Sequence, residues 1–370
     1  MSDLFRIEEP FHGAVINWRQ GKREKDGLLI NVRGCAPIRD SVVVNGVQAK
    51  RNIEGFTAEV LLKEEETEII AVAEGSSGRK EHRIRVVWDR FSRPRYQFFI
   101  DDNIFFLRDI FQHNYKSLFE CFYLAGLKKL HEKYKTKFTL NLFYSDGKDF
   151  SLSLFPDRYK NEWIENSTWL RLAFHAYSEF PHCPYLYASG EKLAKDFDLV
   201  KEEVIRFAGE QTYSPPSIIH WGMVQPSALP ILAQRGVKVL SGYFFPLLLG
   251  YSGYDVNYLL DDERSSYIFH NEALKDFATG IIFSRVDLIC ERTPISQISS
   301  VLESLRNNPS QAEVMNLMTH EQYFWPFYSN YRPDHFQKLD TVLKWIVENG
   351  YECVFLQDGY LAASEFGKFR

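Results

Sequence analysis

Apolar and polar positions follow two different rhythms along this chain. Over residues 11–92 the apolar positions come in short runs with a period near two. His12-Gly13-Ala14-Val15-Ile16 opens one run, and Gly27-Leu28-Leu29-Ile30-Asn31-Val32 is the next. Ser41-Val42-Val43-Val44 meets Asn45-Gly46 and then Val47, and an Asn-Gly pair suits the positive φ angles of a two-residue hairpin. Phe56-Thr57-Ala58-Glu59-Val60 alternates as a half-buried strand should, followed by Glu68-Ile69-Ile70-Ala71-Val72-Ala73. Ser76-Ser77-Gly78 reads as a turn, and His82-Arg83-Ile84-Arg85-Val86-Val87-Trp88 closes the set. Short strands at this spacing predict a small all-β sandwich over residues 1–92.

From residue 93 the rhythm changes, after a 90–95 linker that contains Pro94. Strand-like and helix-like segments now alternate. Strands are expected at 96–100, 138–143, 170–174, 217–219, 237–240, 312–318 and 352–356. Helices are expected at 117–134, 160–165, 192–207, 226–234, 295–305 and 332–349, with a loop or short helix at 103–111. Residues 244–293 break the pattern with short strand signals such as Tyr267-Ile268-Phe269 and Gly280-Ile281-Ile282-Phe283, and predict hairpins or an excursion near the mouth of a barrel. Repeated βα units over 93–370 predict a distorted (β/α) barrel. A doubly wound sheet is the structural rival, but no Gly-rich phosphate loop accompanies it.

Length agrees with two domains, since 370 residues exceed what one core usually serves. Aromatic residues reach 15%, with 30 Phe and 20 Tyr, which suggests aromatic-lined clefts as well as a core. A net charge of −5 without a basic stripe argues against nucleic acid as a partner. No apolar run is long enough for a membrane span, the stretch 244–249 being far too short, so no membrane partner is expected. Met1-Ser2-Asp3-Leu4-Phe5-Arg6 lacks the basic-then-apolar order of a signal segment. Five scattered Cys argue against a disulfide framework or a structural zinc cluster. The default expectation is a cytoplasmic protein.

Chemistry is expected where strands end. Phe98-Phe99-Ile100 runs directly into Asp101 and Asp102. Crowding two carboxylates is costly unless a metal or a shared proton compensates, although a solvated Asp pair at a turn is the plain alternative. His175 follows Leu172-Ala173-Phe174, His220 follows Ile218-Ile219, and His320-Glu321 follow the strand of 312–318. In a barrel such ends share one face, where sites are built. Carboxylate with neutral imidazole suits zinc and similar divalent ions. His12 and His82 are expected to be surface or structural residues.

Two resemblances add to this. The order Val42–Val47, then Phe56-Thr57-Ala58-Glu59-Val60-Leu61-Leu62, then Thr67 to Ala73 resembles bacterial immunoglobulin-like modules, with Ala71 where the pattern has Val. The rest of the chain looks like the polysaccharide deacetylase superfamily of carbohydrate esterases, which implies a seven-stranded barrel. That resemblance implies Asp101 as general base and Asp102 as a metal ligand. The family's His-Ser/Thr-x-x-His motif falls on His175-Ala176-Tyr177-Ser178-Glu179, so Glu179 stands where the second His would be. The resemblance therefore implies Asp102 and His175 as ligands of a divalent ion, zinc in the first instance, completed by Glu179, His182 or His220. It implies His320 as general acid. The family's Arg and Pro motif beside the base has no counterpart. Trp221, Tyr177, Tyr323 and Trp325 are candidates for sugar stacking.

The expected function is metal-dependent removal of an acyl group, such as N-acetyl, from a carbohydrate. One alternative is a metal-independent glycoside hydrolase, with Asp102 and Glu321 as the carboxylate pair. Another is a non-catalytic carbohydrate-binding protein on a degraded deacetylase scaffold.

Overall fold

A computed structural model describes residues 5–53, 55–75, 78–246 and 253–361. These divide into two compact units. One holds the described residues up to Arg93 with Ala273–Ala278; the other holds Pro94–Glu272 and Thr279–Tyr360.

The first unit contains two sheets. In one, Arg6–Glu9, Gly27–Cys35, Phe56–Leu62 and Lys50–Arg51 lie side by side, with Lys22–Glu24 also paired to Gly27–Cys35. In the other the order is Val15–Ile16, Gly78–Trp88, Glu66–Gly75, Ser41–Val44 and Val47–Gln48. All pairings are antiparallel except that of Val15–Ile16 with Gly78–Trp88. The period-two pattern is physical: Leu28, Ile30 and Val32 are buried while Asn31 and Arg33 are exposed. Asn45 and Gly46 take φ of 45° and 82°, the tight turn that a short polar side chain and a missing Cβ allow. His12 and His82 each accept a backbone N–H at Nδ1, from Arg85 and Ile7. The Ser76-Ser77 turn, residues 1–4 and the apolar 247–249 lie outside the described residues.

The second unit is built on parallel strands. Arg95–Asn103 is central, flanked by Phe138–Phe143 and then Leu170–Ala176 on one side, and by Val314–His320 and then Leu288–Ile289 on the other. Glu352–Cys353 pairs with the start of the central strand. Val239–Gly242 and Ile282–Arg285 form a further parallel pair. Tyr96, Phe98, Phe99 and Ile100 are all buried, because a parallel strand is covered on both faces and so tolerates an unbroken apolar run. A first strand lying between the second and a late strand is the order that closure of a barrel requires. The result is a multi-sheet α/β architecture with a parallel strand core, consistent with a distorted barrel-like fold.

Three expectations are corrected. Tyr267-Ile268-Phe269 is not a strand but part of the helix Asp262–Asn271, whose start is fixed by Asp261 accepting the Arg264 N–H. Residues 217–219 form no strand; the chain turns instead through His220–Gly222, with Trp221 at φ 63°. The last strand is only Glu352–Cys353, followed by the short helix Leu356–Gly359. No helix among the described residues is long and apolar enough to cross a membrane.

Candidate metal centre

Two β-bulges aim the first two groups. Between Ile100 and Asn103 the central strand advances by one residue more than its neighbour, which goes from Leu140 to Leu142. Asp102 lies in that slip at φ 59°, in the left-handed region that costs a non-glycine residue about 1–3 kcal/mol. The next strand slips between Phe174 and Ala176 against Leu142 and Phe143, and His175 is the extra residue. Bulges re-aim side chains next to sites in this way. His220 comes from the strained turn described above.

These residues converge. His175 Nε2 lies 3.1 Å from Asp102 Oδ1, His220 Nδ1 lies 3.1 Å from His175 Nε2, and His220 Nδ1 lies 3.3 Å from Asp102 Oδ1. All three residues are buried, and Phe143 packs its ring against both imidazoles. Among the described residues they are the one group of three His, Cys, Asp or Glu placed to hold a metal ion.

The outer nitrogens of both imidazoles are already committed. His175 Nδ1 lies 3.1 Å from the Ile218 carbonyl, and His220 Nε2 lies 3.2 Å from the Glu179 carbonyl. A carbonyl only accepts, so each outer nitrogen carries a proton. When both rings are neutral, the two inner nitrogens and Asp102 Oδ1 face one another as three lone pairs. Placing the His175 proton on Nε2 instead would set its bare Nδ1 against the Ile218 oxygen. A proton donated to Asp102 or a bound cation relieves that conflict, and ligands about 2.0–2.2 Å from one tetrahedral ion are spaced about as far apart as these atoms are. The donor set fits a divalent ion, and the outer carbonyls fix the tautomers in the usual manner of metal-bound histidines.

Electrostatics separates the two acids. Burial pushes the Asp101 carboxyl well above the usual carboxylate range, with Asp102 and Glu291 adding to it against His320 and Asn141. Burial acts upward on Asp102 too, but hydrogen bonds with His175 and His220 and the charge of His320 outweigh it and hold its carboxyl well below that range. Burial pulls His175 down to about 4, which keeps it neutral and able to bind metal. Two neighbouring acids driven in opposite directions can take different roles.

The structure brings His320 to the same place. Its Cα partner across the sheet is Asp101, and its Nε2 lies 3.9 Å from Asp102 Oδ2. Its Nδ1 is bonded to Glu291 Oε1 at 2.6 Å. Burial opposes the charge on His320, but Glu291 overcomes it and carries the imidazole up to about 10.

Other candidates lie elsewhere. Glu179 contributes its backbone carbonyl to His220, while its carboxylate accepts a hydrogen bond from Gln322. His182 packs against Phe180 and Trp221. Glu321 is a helix cap: Oε2 accepts from the Ile104 and Phe105 N–H groups, and Oε1 from the Phe106 N–H and Trp325 Nε1. Trp325 is accordingly buried, while Tyr177 is exposed beside Tyr144. Two further polar groups beside the cluster have no sequence signal. Glu291 follows a two-residue strand, and Asn141 sits mid-strand, where its Nδ2 donates to Asp101 Oδ1 at 2.7 Å and its Oδ1 accepts from the Ser217 N–H.

No family model matches the sequence, and no curated protein matches it. Solved structures with a similar chain trace exist. One is a 4-α-glucanotransferase from Thermococcus litoralis, with 13% identity and a TM-score of 0.46 over 74% of this chain and 41% of that one. The chain thus spans about two fifths of that enzyme's length. Another is a proposed polysaccharide deacetylase involved in O-antigen biosynthesis from Bordetella bronchiseptica, with 13% identity and a TM-score of 0.33 over 69% of this chain and 84% of that one. A third is a proposed α-galactosidase from Bacteroides fragilis, with 10% identity and a TM-score of 0.28 over 92% of this chain and 78% of that one.

Proposed function

We propose that this chain is a carbohydrate-acting hydrolase that holds a divalent ion on Asp102, His175 and His220. The observation that carries the proposal is the convergence of three buried ligand atoms, one on a carboxylate and two on rings held from outside by backbone carbonyls. A bound divalent ion supplies Lewis acidity, polarising a carbonyl and making water easier to deprotonate. The finer form of the proposal is removal of an N-acetyl or other acyl group from a sugar. In it Asp101, with Oδ1 held by Asn141, takes the proton of the attacking water through its other oxygen. His320, held at Nδ1 by Glu291, gives a proton from Nε2 to the leaving nitrogen or oxygen. With it go two structural assignments: a seven-stranded barrel from residue 93, and an immunoglobulin-like module over residues 1–92.

Cleavage of a glycosidic bond is the second proposal. Burial raises the carboxyls of Asp101 and Glu179, the state a general acid needs. Because Glu321 is occupied as a cap, the pair in that case is drawn from Asp101, Asp102, Glu179 and Glu291.

One experiment separates the two. The protein is incubated with acetylated oligosaccharides, with and without a chelator, and both acetate and new reducing ends are measured. Chelator-sensitive acetate release supports deacylation, and chelator-insensitive reducing ends support the glycosidase. Binding without either product would contradict both and favour a non-catalytic carbohydrate-binding protein.

A further inference from the structure

His320 is held by more than Glu291. Thr319 and His320 are consecutive on the strand Val314–His320 and so point to opposite faces, yet one carboxylate reaches both. Glu291 Oε1 takes His320 Nδ1 at 2.6 Å, and Glu291 Oε2 takes the Thr319 hydroxyl at 2.9 Å. Glu291 therefore wraps around the end of the strand. The Thr319 oxygen has a third neighbour, His335 Nε2, at 2.7 Å. His335 is the first residue of the helix His335–Glu348. Thr319, Glu291 and His335 are all buried.

The proton inventory fixes the direction of this chain. A threonine hydroxyl has one proton, and here it goes to Glu291. Its oxygen can then only accept from His335, so His335 carries its proton on Nε2. Its Nδ1 is buried and has no hydrogen-bond partner among the described residues. The order is His335 Nε2–H to Thr319 Oγ1, Thr319 Oγ1–H to Glu291 Oε2, and His320 Nδ1–H to Glu291 Oε1. The His335 ring is itself fixed edge-on to Phe324, with ring centres 4.4 Å apart.

We propose that Thr319 and His335 are positioning residues for His320. They hold Glu291 in the one orientation that keeps the His320 proton on Nδ1 and turns Nε2 toward Asp102. The relevance to catalysis rests on the hydrolase proposal above; the hydrogen-bond chain itself does not. The helix that begins at His335 thereby reaches the site without touching it. Neither residue is among the three placed to hold the ion.

The test reads the chain directly. Full-length protein labelled with ¹⁵N-histidine is examined by NMR for the His320 Nδ1–H resonance and its exchange with water. The wild type is expected to show a protected, downfield Nδ1–H. Thr319→Val removes the hydroxyl at nearly constant shape and is expected to speed that exchange roughly 10- to 150-fold, the equivalent of a charge-assisted hydrogen bond. Thr319→Ser keeps the hydroxyl and is expected to restore protection. His335→Phe is expected to act in the same direction as Thr319→Val, and His335→Gln, which retains a donor, to recover part of the effect. Should Thr319→Val fail to fold, the two His335 variants carry the comparison. Unchanged protection in Thr319→Val or His335→Phe would overturn the proposal, as would a failure of Thr319→Ser to rescue. Metal content measured on the same samples is expected to stay at the wild-type level. A protein that binds no metal but shows the NMR pattern would refute the hydrolase proposal and leave this one standing.

Discussion

Replacing Glu321 by Gln should damage the site from behind. The Glu321 carboxylate accepts four donors, two on each oxygen: Ile104 and Phe105 N–H on Oε2, Phe106 N–H and Trp325 Nε1 on Oε1. An amide keeps only one accepting oxygen, so whichever way it turns, its NH₂ faces two N–H groups. Two hydrogen bonds to a charged acceptor are lost, at ~1.5–3 kcal/mol each, or roughly 3–6 kcal/mol together. Relief from burying a carboxylate offsets part of this and leaves a net loss of about 2–4 kcal/mol. Burial pushes the Glu321 carboxyl up to about 7, so the comparison belongs near pH 8.5, where the wild-type group is ionised. Hydrogen exchange of the amides at 104–106, followed by mass spectrometry, should accelerate roughly 30- to 900-fold, the same energy expressed as a ratio. Asp102 is two residues from the first of these amides, so loss of metal affinity should accompany the change. Unchanged protection at 104–106, or a destabilisation below about 1 kcal/mol, would refute the capping argument.

Further predictions concern the buried acids. A carboxyl raised in the folded state binds more protons folded than unfolded, so stability falls as pH rises through the interval between its two pKa values. Asp101→Asn removes such a group and should raise the melting temperature of metal-free protein at pH 8 while abolishing turnover; a lower melting temperature would contradict the direction of the Asp101 shift. Glu272 is pushed well above its usual range by burial and then by Asp287, which burial itself carries up to about 6. Glu272 Oε1 is occupied by Ser284, Asn316 and Tyr360, whereas Glu272 Oε2 takes no hydrogen bond among the described residues and Asp287 Oδ1 is paired only with Arg285 Nε, at 3.2 Å. Glu272→Gln supplies a donor to Asp287 and should flatten the fall of melting temperature as pH rises above the ordinary carboxylate range; a drop of more than about 3 °C at pH 8 would count against this account.

More of the candidate site than of its candidate ligand set is legible in the sequence. Asp101 and Asp102 were legible because an apolar run ending in acids can be read one residue at a time. His175, His220 and His320 were legible as polar groups following apolar segments. The choice between Glu179 and His220 was not legible. It depends on a turn at His220–Gly222 with Trp221 at positive φ, and propensity predicts no such conformation for tryptophan. The bulges at Asp102 and His175 were likewise hidden, since a one-residue slip is a property of two strands together. Glu291 and Asn141 gave no signal because their partners are 29 and 40 residues away. The helix at Asp262–Asn271 was missed because three apolar residues outweighed the Asp261 cap that starts it.

The central claim is that Asp102, His175 and His220 hold a divalent ion, and an anomalous-scattering map tests it most directly. Crystals grown with equimolar zinc, measured on both sides of the zinc edge, should show one strong peak in contact with Asp102 Oδ1, His175 Nε2 and His220 Nδ1. No peak among these atoms, or a peak held by other residues, would contradict the account.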